Sequence, residues 1–304
     1  MTIKFRENVN LSKYTNTKTG GWVNNMYYPK DLDQLKSLIA DLKDKKIDFE
    51  VLGDMTNVAI AGGNLNFDVV NMSEFGISEP TVENGREVVV GAGYKMKNLA
   101  YWAHGKRYSG LSWMEGIPGT VGAGIFMNAG FLANQDIQAC LIEVTVLNLE
   151  TMEVEIYKNT DLKFRYRYSA LQDMNIVVLE GRFLVKPMSN SIKGMAQYFK
   201  QGALLRKYHK RRAKNQPLEL PSAGTTFVPP TPWHVGGLMR ELNMVGLTIG
   251  GAQISTKSPG FIVGVADMTG EDYRNLVLHI QREVEKAYEL NLIPEVRLLG
   301  FDRD

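Results

Sequence analysis

Residues 110–130 constrain this chain more than any other stretch. They read Gly-Leu-Ser-Trp-Met-Glu-Gly-Ile-Pro-Gly-Thr-Val-Gly-Ala-Gly-Ile-Phe-Met-Asn-Ala-Gly, with Gly116, Gly119, Gly122, Gly124 and Gly130 inside fifteen positions and Pro118 among them. Glycine lets backbone amides turn toward a ligand and lets a ligand come close, so such a run can hold a phosphate. Its spacing is not that of a P-loop, and it lacks the Gly-x-Gly-x-x-Gly of a dinucleotide-binding turn. The run points to ligand-contacting backbone outside both common nucleotide folds.

At 304 residues the chain is long enough for a large core and for two or three lobes. Hydrophobic residues make up 44% and charged residues 22%, the balance of a soluble globular protein. A net charge of +2 gives no electrostatic argument for nucleic acid as a partner. Positive charge is concentrated in Arg206-Lys207-Tyr208-His209-Lys210-Arg211-Arg212-Ala213-Lys214. That cluster reads either as a solvated helix face or as contact with an anionic substrate or cofactor. Cys140 is the single cysteine, which excludes an internal disulfide and a multi-cysteine zinc site; its apolar neighbours Leu141 and Ile142 suit a buried structural thiol. His104, His209, His234 and His279 are far apart, so no metal is expected. The first residues lack an apolar signal core, and no run of about twenty apolar residues occurs. A soluble, cytoplasmic protein without membrane insertion is the expectation; the oligomeric state stays open.

The coarse pattern is α+β with mixed sheets. Apolar residues at Leu32, Leu35, Leu38, Ile39 and Leu42 have helical spacing, with Asp31 placed as N-cap. Strands are expected over 49–52, 58–60, 68–72 and 87–90, and a helix over 95–107. Segments 141–149 and 153–157 suit a hairpin, and 176–185 a strand. A long basic helix over 191–214 must stop before Pro217. Residues 221–230 are rich in turn formers and read as a loop. A short helix over 236–243, a strand over 261–265 and an amphipathic helix opening at Thr269 complete the pattern.

Four segments taken together resemble the UDP-N-acetylenolpyruvoylglucosamine reductases, the MurB family. They are residues 13–21 (Lys-Tyr-Thr-Asn-Thr-Lys-Thr-Gly-Gly), 116–122 with 127–130, 216–224 (Gln-Pro-Leu-Glu-Leu-Pro-Ser-Ala-Gly), and Pro294-Glu295-Val296-Arg297. Their order, their separations and the chain length fit the shorter form of that family. The resemblance implies an FAD-binding fold of the vanillyl-alcohol-oxidase (PCMH) type with a MurB C-terminal substrate domain. Three lobes are implied: 1–67, joined by 291–304, and 68–190 for FAD, and 191–290 for substrate. It also implies NADPH as reductant and a nucleotide-sugar substrate, in peptidoglycan precursor synthesis.

Carried over residue by residue, the resemblance makes Gly53, Asp54, Met55, Thr56 and Asn57 one FAD-contacting loop. Gly116, Ile117, Pro118, Gly119, Thr120, Gly122 and Ala123 make the other. Thr225 stands where the family's proton-donating serine stands, Arg167 is the arginine of its Tyr-Arg-x-Ser motif, and Glu295 is the glutamate of Pro-Glu-Val-Arg. Tyr166, Lys214 and Gln216 are implied on the substrate side. The departures fall at these sites. Met55 replaces a glycine suited to positive φ, and Asp54 adds negative charge where a diphosphate is expected. Gly122-Ala123-Gly124 replaces Gly-Gly-Ala, and the bulkier Phe131-Leu132-Ala133-Asn134-Gln135 replaces a glycine-containing, acidic segment. Lys257-Ser258-Pro259-Gly260-Phe261 and Val228-Pro229-Pro230 differ as well, and Thr225 adds a methyl group to the donor position. Two other readings therefore stand beside the reductase. One is a diverged paralogue with another substrate or no reductase activity, including a non-catalytic binding protein; the other is a structural or interaction protein without flavin.

Overall fold

The computed structural model describes residues 3–132 and 134–301; Ala133 of the segment quoted above lies outside them. Among the described residues are six α-helices: α1 (Leu32–Asp44), α2 (Met96–Gly105), α3 (Val121–Phe126), α4 (Ile192–Asn215), α5 (Val235–Glu241) and α6 (Gly270–Tyr288). Strands Lys4–Asn10, Trp22–Tyr28, Asp68–Asn71 and Phe49–Leu52 form a four-stranded sheet in that order. The chain divides into two compact units. The first comprises the N-terminal residues to Phe5, Tyr27–Asp54 and Val69–Arg212; the second comprises Arg6–Met26, Met55–Asp68 and the chain from Ala213 onward.

In the first unit, five antiparallel strands lie in the order Val154–Lys158, Leu141–Asn148, Ile176–Leu184, Glu87–Gly91, Thr81–Glu83. Alternation puts Val88 and Val90 inside, where they share a core with Val144, Val146, Val177 and Phe183. The apolar stripe of α1 (Leu35, Leu38, Ile39 and Leu42) belongs to the same core. Burying each such side chain contributes about 1.5–3 kcal/mol. Asp31 caps α1 by accepting the Gln34 N–H at 2.9 Å. Gly181 marks where α3 lies on the sheet: a Cβ there would stand 2.6 Å from Ile125 Cδ1.

In the second unit, Ser222–Thr225, Phe261–Gly264, Ala252–Ile254 and Thr248–Ile249 form an antiparallel sheet in that order. Residues 222–225 are therefore a strand, where turn-forming composition predicted only loop. The pairing partner Phe261–Gly264 is fully buried, and it supplies the order that local propensity lacks. Helix α6 buries Tyr273, Leu276, Val277, Ile280 and Val284 in the core of this unit. Its start is a capping box. Thr269 Oγ1 accepts the Asp272 N–H at 3.0 Å, and Asp272 Oδ2 accepts the Thr269 N–H at 3.0 Å. Strand Arg297–Leu299 returns to pair in parallel with Val58–Ile60.

Candidate active site

In the first unit the glycine-rich run is not free loop. Ser112–Gly116 is a 3-10 turn, and Thr120 caps α3, so Gly122 and Ala123 are helical. The run is clamped onto residues 92–96. Met96 N–H donates to the Gly119 carbonyl at 3.1 Å, Val121 N–H to Tyr94 at 2.8 Å, and Gly122 N–H to Ala92 at 2.8 Å. Ile117 N–H donates to Met114 at 3.1 Å. The chain itself thus engages the amides of Ile117, Val121 and Gly122. Those of Gly119 and Thr120 form no hydrogen bond among the described residues. The offer of backbone amides narrows to this adjacent pair, with Gly119 at φ 106°. Gly53 lies against Thr120: a Cβ on it would sit 2.6 Å from the Thr120 hydroxyl oxygen. Beside Gly53, the Asp54 carboxylate is held by the Lys95 ammonium in an ion pair, so its charge is compensated within the fold.

Arg167 follows Tyr166 in a tight turn whose flanks, Arg165 and Tyr168, pair through two backbone hydrogen bonds. It holds φ 53° and donates from Nη2 to the Gly130 carbonyl at 2.7 Å. Its guanidinium lies 4.6 Å from the centre of the Tyr166 ring. Asn128 Nδ2 donates to the Arg165 carbonyl at 2.8 Å, and Ser169 Oγ to the Phe126 carbonyl at 2.7 Å. The segment Met127-Asn128-Ala129-Gly130 and the Tyr-Arg-Tyr-Ser turn are therefore one structure.

The basic cluster is mostly solvated, including Lys214 at the end of α4. Tyr208 is buried, and exposed His209 and half-buried Arg212 interact with Glu115. His209 Nδ1 lies 3.0 Å from Glu115 Oε1, and Arg212 is partly desolvated, with burial lowering its pKa against the opposing pull of Glu115. Glu115 is itself almost wholly buried, with Lys97 Nζ 3.7 Å away. These contacts anchor the helix, and nothing in the cluster's composition singled out Glu115.

The second unit brings together residues far apart in sequence. Met55 takes φ 52°, the left-handed conformation expected at its position, with its side chain buried. Asn57 Nδ2 donates to the Glu295 carbonyl at 3.0 Å, and Arg297 N–H to the Asn57 carbonyl at 3.1 Å. Glu295 N–H in turn donates to the Thr226 carbonyl at 2.8 Å. Thr226 is buried; its N–H donates to Gly260 at 2.9 Å and its hydroxyl accepts from Ile262 N–H at 3.1 Å. Thr225 therefore ends its strand on a fixed backbone, half-buried, after Gly224 at φ 88°. Among the described residues no hydrogen bond engages its hydroxyl. Beneath this network lies Tyr273, fully buried. Burial above all, and Glu295 as well, push its ionisation up, against the neighbouring Thr226 hydroxyl. Gln216 is half-buried just before buried Pro217, where α4 has ended.

Sequence reasoning did not find the role of segment 13–21. Its threonines are buried supports. Thr17 Oγ1 donates to the Val58 carbonyl at 3.1 Å, and Thr19 Oγ1 accepts the Ile60 N–H at 3.1 Å. They hold the strand that follows Asn57. Cys140 is buried, and burial pushes its thiol pKa far up. Among the described residues no cluster of His, Cys, Asp or Glu could hold a metal, and no helix is long and apolar enough to cross a membrane.

Known proteins place this architecture. Residues 24–154 match the FAD binding domain, and residues 216–299 match the C-terminal domain of UDP-N-acetylenolpyruvoylglucosamine reductase. The chain is 34% identical over 301 residues to the UDP-N-acetylenolpyruvoylglucosamine reductase of Lactobacillus helveticus, covering 99% of this chain and 97% of that one. Against the protein of the same name from Listeria monocytogenes the identity is 32%, again with 99% and 97% coverage. The crystal structure of the Thermus caldophilus reductase (MurB) superposes with a TM-score of 0.77 at 24% identity, over 98% of this chain and 99% of that one, and so shares its fold. The fold class expected from the motifs, an FAD-binding domain with a MurB C-terminal domain, holds. At this identity over nearly its full length, the chain belongs to the UDP-N-acetylenolpyruvoylglucosamine reductase (MurB) family.

Proposed function

We infer that the protein is an FAD-dependent oxidoreductase that reduces the enolpyruvyl group of UDP-N-acetylglucosamine enolpyruvate to give UDP-N-acetylmuramate. NADPH is the reductant, and the reaction serves peptidoglycan precursor synthesis in the cytoplasm. The residues present fit the cofactor. Two adjacent amides, of Gly119 and Thr120, are unspent; Gly53 leaves no room for a side chain; and the one carboxylate in loop 53–57 is neutralised. Three lobes go with this reading, and the pairing of 297–299 with 58–60 supports joining 291–304 to the first.

When bound, FAD supplies the redox step, passing a hydride from NADPH to the enolpyruvyl methylene carbon. The chain's residues handle the charge and the proton. Electron density displaced from the double bond builds on the neighbouring carbon and its carboxylate, which calls for a cation and an acid. We assign these parts to Arg167 and Glu295. The Thr225 hydroxyl delivers a proton to that carbon, so the alkene gains one hydride and one proton. Tyr166, Lys214 and Gln216 are assigned to the nucleotide sugar. The observation that carries the assignment is the bond from Glu295 N–H to the Thr226 carbonyl, which ties the acid to the strand end bearing Thr225. The departures at 54 and 55, which suggested a diverged or flavin-free protein, are accommodated by the Lys95 pair and by the left-handed backbone.

The test is anaerobic. NADPH should bleach the bound flavin, and the enolpyruvyl nucleotide should restore its colour. Thr225→Val should still be bleached but be reoxidised at least about a hundredfold more slowly, while Thr225→Ser should keep most of the rate. Reoxidation of Thr225→Val at the native rate would remove Thr225 from the mechanism. A reduced flavin indifferent to the enolpyruvyl nucleotide would remove the substrate assignment.

A further inference from the structure

Within the first unit, Lys95 links the run 116–123 to Gly53 and Asp54, the start of the other loop assigned to FAD. Its backbone stands opposite Thr120 in an isolated antiparallel bridge. The bonds on either side, Met96 N–H to Gly119 and Val121 N–H to Tyr94, fix the peptides that present the two unspent amides. The side chain of Lys95 reaches the other loop, where its ammonium holds the Asp54 carboxylate. Asp54 is the more sheltered partner, with its side chain 20% exposed against 41% for the lysine. Gly53, in contact with Thr120, closes the arrangement. The two charges stand 41 positions apart in sequence, and no motif links them.

We propose that Lys95 is a cofactor-positioning residue, which neutralises Asp54 so that the loop can accept the diphosphate of FAD and holds that loop in register with Gly119 and Thr120. Without the ammonium, a sheltered carboxylate would face an anionic ligand, and like charges at short range in a half-buried site repel strongly. With it, the loop carries no net charge. The inference rests on the assignment of 53–57 and 116–123 as the FAD cradle.

Flavin-stripped protein titrated with FAD, with binding read from quenching of flavin fluorescence, tests it. Lys95→Met should weaken FAD binding by roughly tenfold or more at low ionic strength, and by less in molar salt. Asp54→Asn should bind as well as the native protein or better. The double variant should return to within about threefold of native, since the penalty belongs to the uncompensated charge. Lys95→Arg, which keeps the charge, should bind like the native protein. Unchanged affinity in Lys95→Met overturns the proposal. So does a double variant as weak as Lys95→Met, or an Asp54→Asn as weak, which would make Asp54 itself a ligand. Should Lys95→Met melt early, Lys95→Gln gives the same comparison with a polar side chain. Gly119→Val separates the inference from its premise. If that variant binds FAD normally, the cradle lies elsewhere and both fall; if it loses FAD while Lys95→Met keeps it, only the role of Lys95 falls.

Discussion

Met55 offers a direct measurement of two opposed effects. It replaces a glycine of the family pattern yet sits at φ 52°, so Met55→Gly would relieve a backbone that favours glycine. That relief is worth about 1–2 kcal/mol. The methionine side chain, however, is 4% exposed. Truncating a buried methionine costs about 2–5 kcal/mol, and the added freedom of an unfolded glycine costs about 0.5–1 kcal/mol more. The smallest combined loss, about 2.5 kcal/mol, exceeds the largest relief, about 2 kcal/mol, so the sign is set. Met55→Gly should be destabilised, by about 2–3 kcal/mol, and Met55→Ala should be worse still by about 0.5–1 kcal/mol because it keeps the strained φ. Urea unfolding of the flavin-free protein measures both. The transition that reports residues 55–68 and the C-terminal chain should move to lower urea by roughly 1 M for the glycine variant. A glycine variant more stable than the native protein would refute the reasoning. It would mean that strain outweighs burial here and that Met55 is tolerated rather than packed.

Gly122→Ala should disturb the proposed FAD cradle from behind, because a Cβ would stand 2.7 Å from Ala92 Cβ and 3.3 Å from its Cα. A loss of about 1–3 kcal/mol in stability is expected, with weaker FAD binding in the titration; unchanged affinity would mean the run tolerates displacement. Asp272→Asn should cost about 1 kcal/mol at neutral pH. Burial alone would raise the Asp272 pKa, but the N–H groups of Thr269 and Gly251 and the Thr269 hydroxyl hold it below the usual carboxylate range. A depressed folded value means the contribution is complete above the unfolded pKa, about 3.9, and is lost as pH falls through the folded one. The stabilities of native protein and variant should therefore converge in strong acid; a gap that persists there would exclude the carboxylate as its source. Cys140, buried with its thiol ionisation pushed up, should resist a disulfide reagent at pH 8 in the folded protein and titrate as one thiol in denaturant.

Helices α1 and α6 were legible because a stripe of apolar residues at 3.6-residue spacing, with a cap at its head, is local information. The hairpin of 141–148 and 154–158 was legible for the same reason at period two. Lys4–Asn10 was not, since all but its last two residues are exposed and no alternation marks it. Ser222–Thr225 was hidden by its turn-forming residues, because its order comes from a partner strand nearly forty positions away. At the site, motif order pointed to Thr225, Arg167 and Glu295. What positions them was not visible: Asn57 on Glu295, Thr226 between strand and acid, Asn128 on the Arg165 carbonyl, and Lys95 on Asp54. Each is a contact made at long range, for which a single sequence carries no local signal. The concern over Asp54 came from reading its charge without its counter-ion.

The parallel pairing of Arg297–Leu299 with Val58–Ile60 has a consequence for how the protein is made. On the ribosome, Val58–Ile60 emerges early and must wait until Arg297–Leu299 has been made before its partner exists. Until then the network from Asn57 through Glu295 to Thr226 cannot assemble. The first unit, completed by residue 212, has no such dependence on the last strand. A nascent chain stalled shortly before residue 295 should therefore protect the sheet of the first unit from protease while leaving Val58–Ile60 open to cleavage. The network around Thr225 and Glu295 would then be complete only once Glu295 and the strand Arg297–Leu299 have been translated.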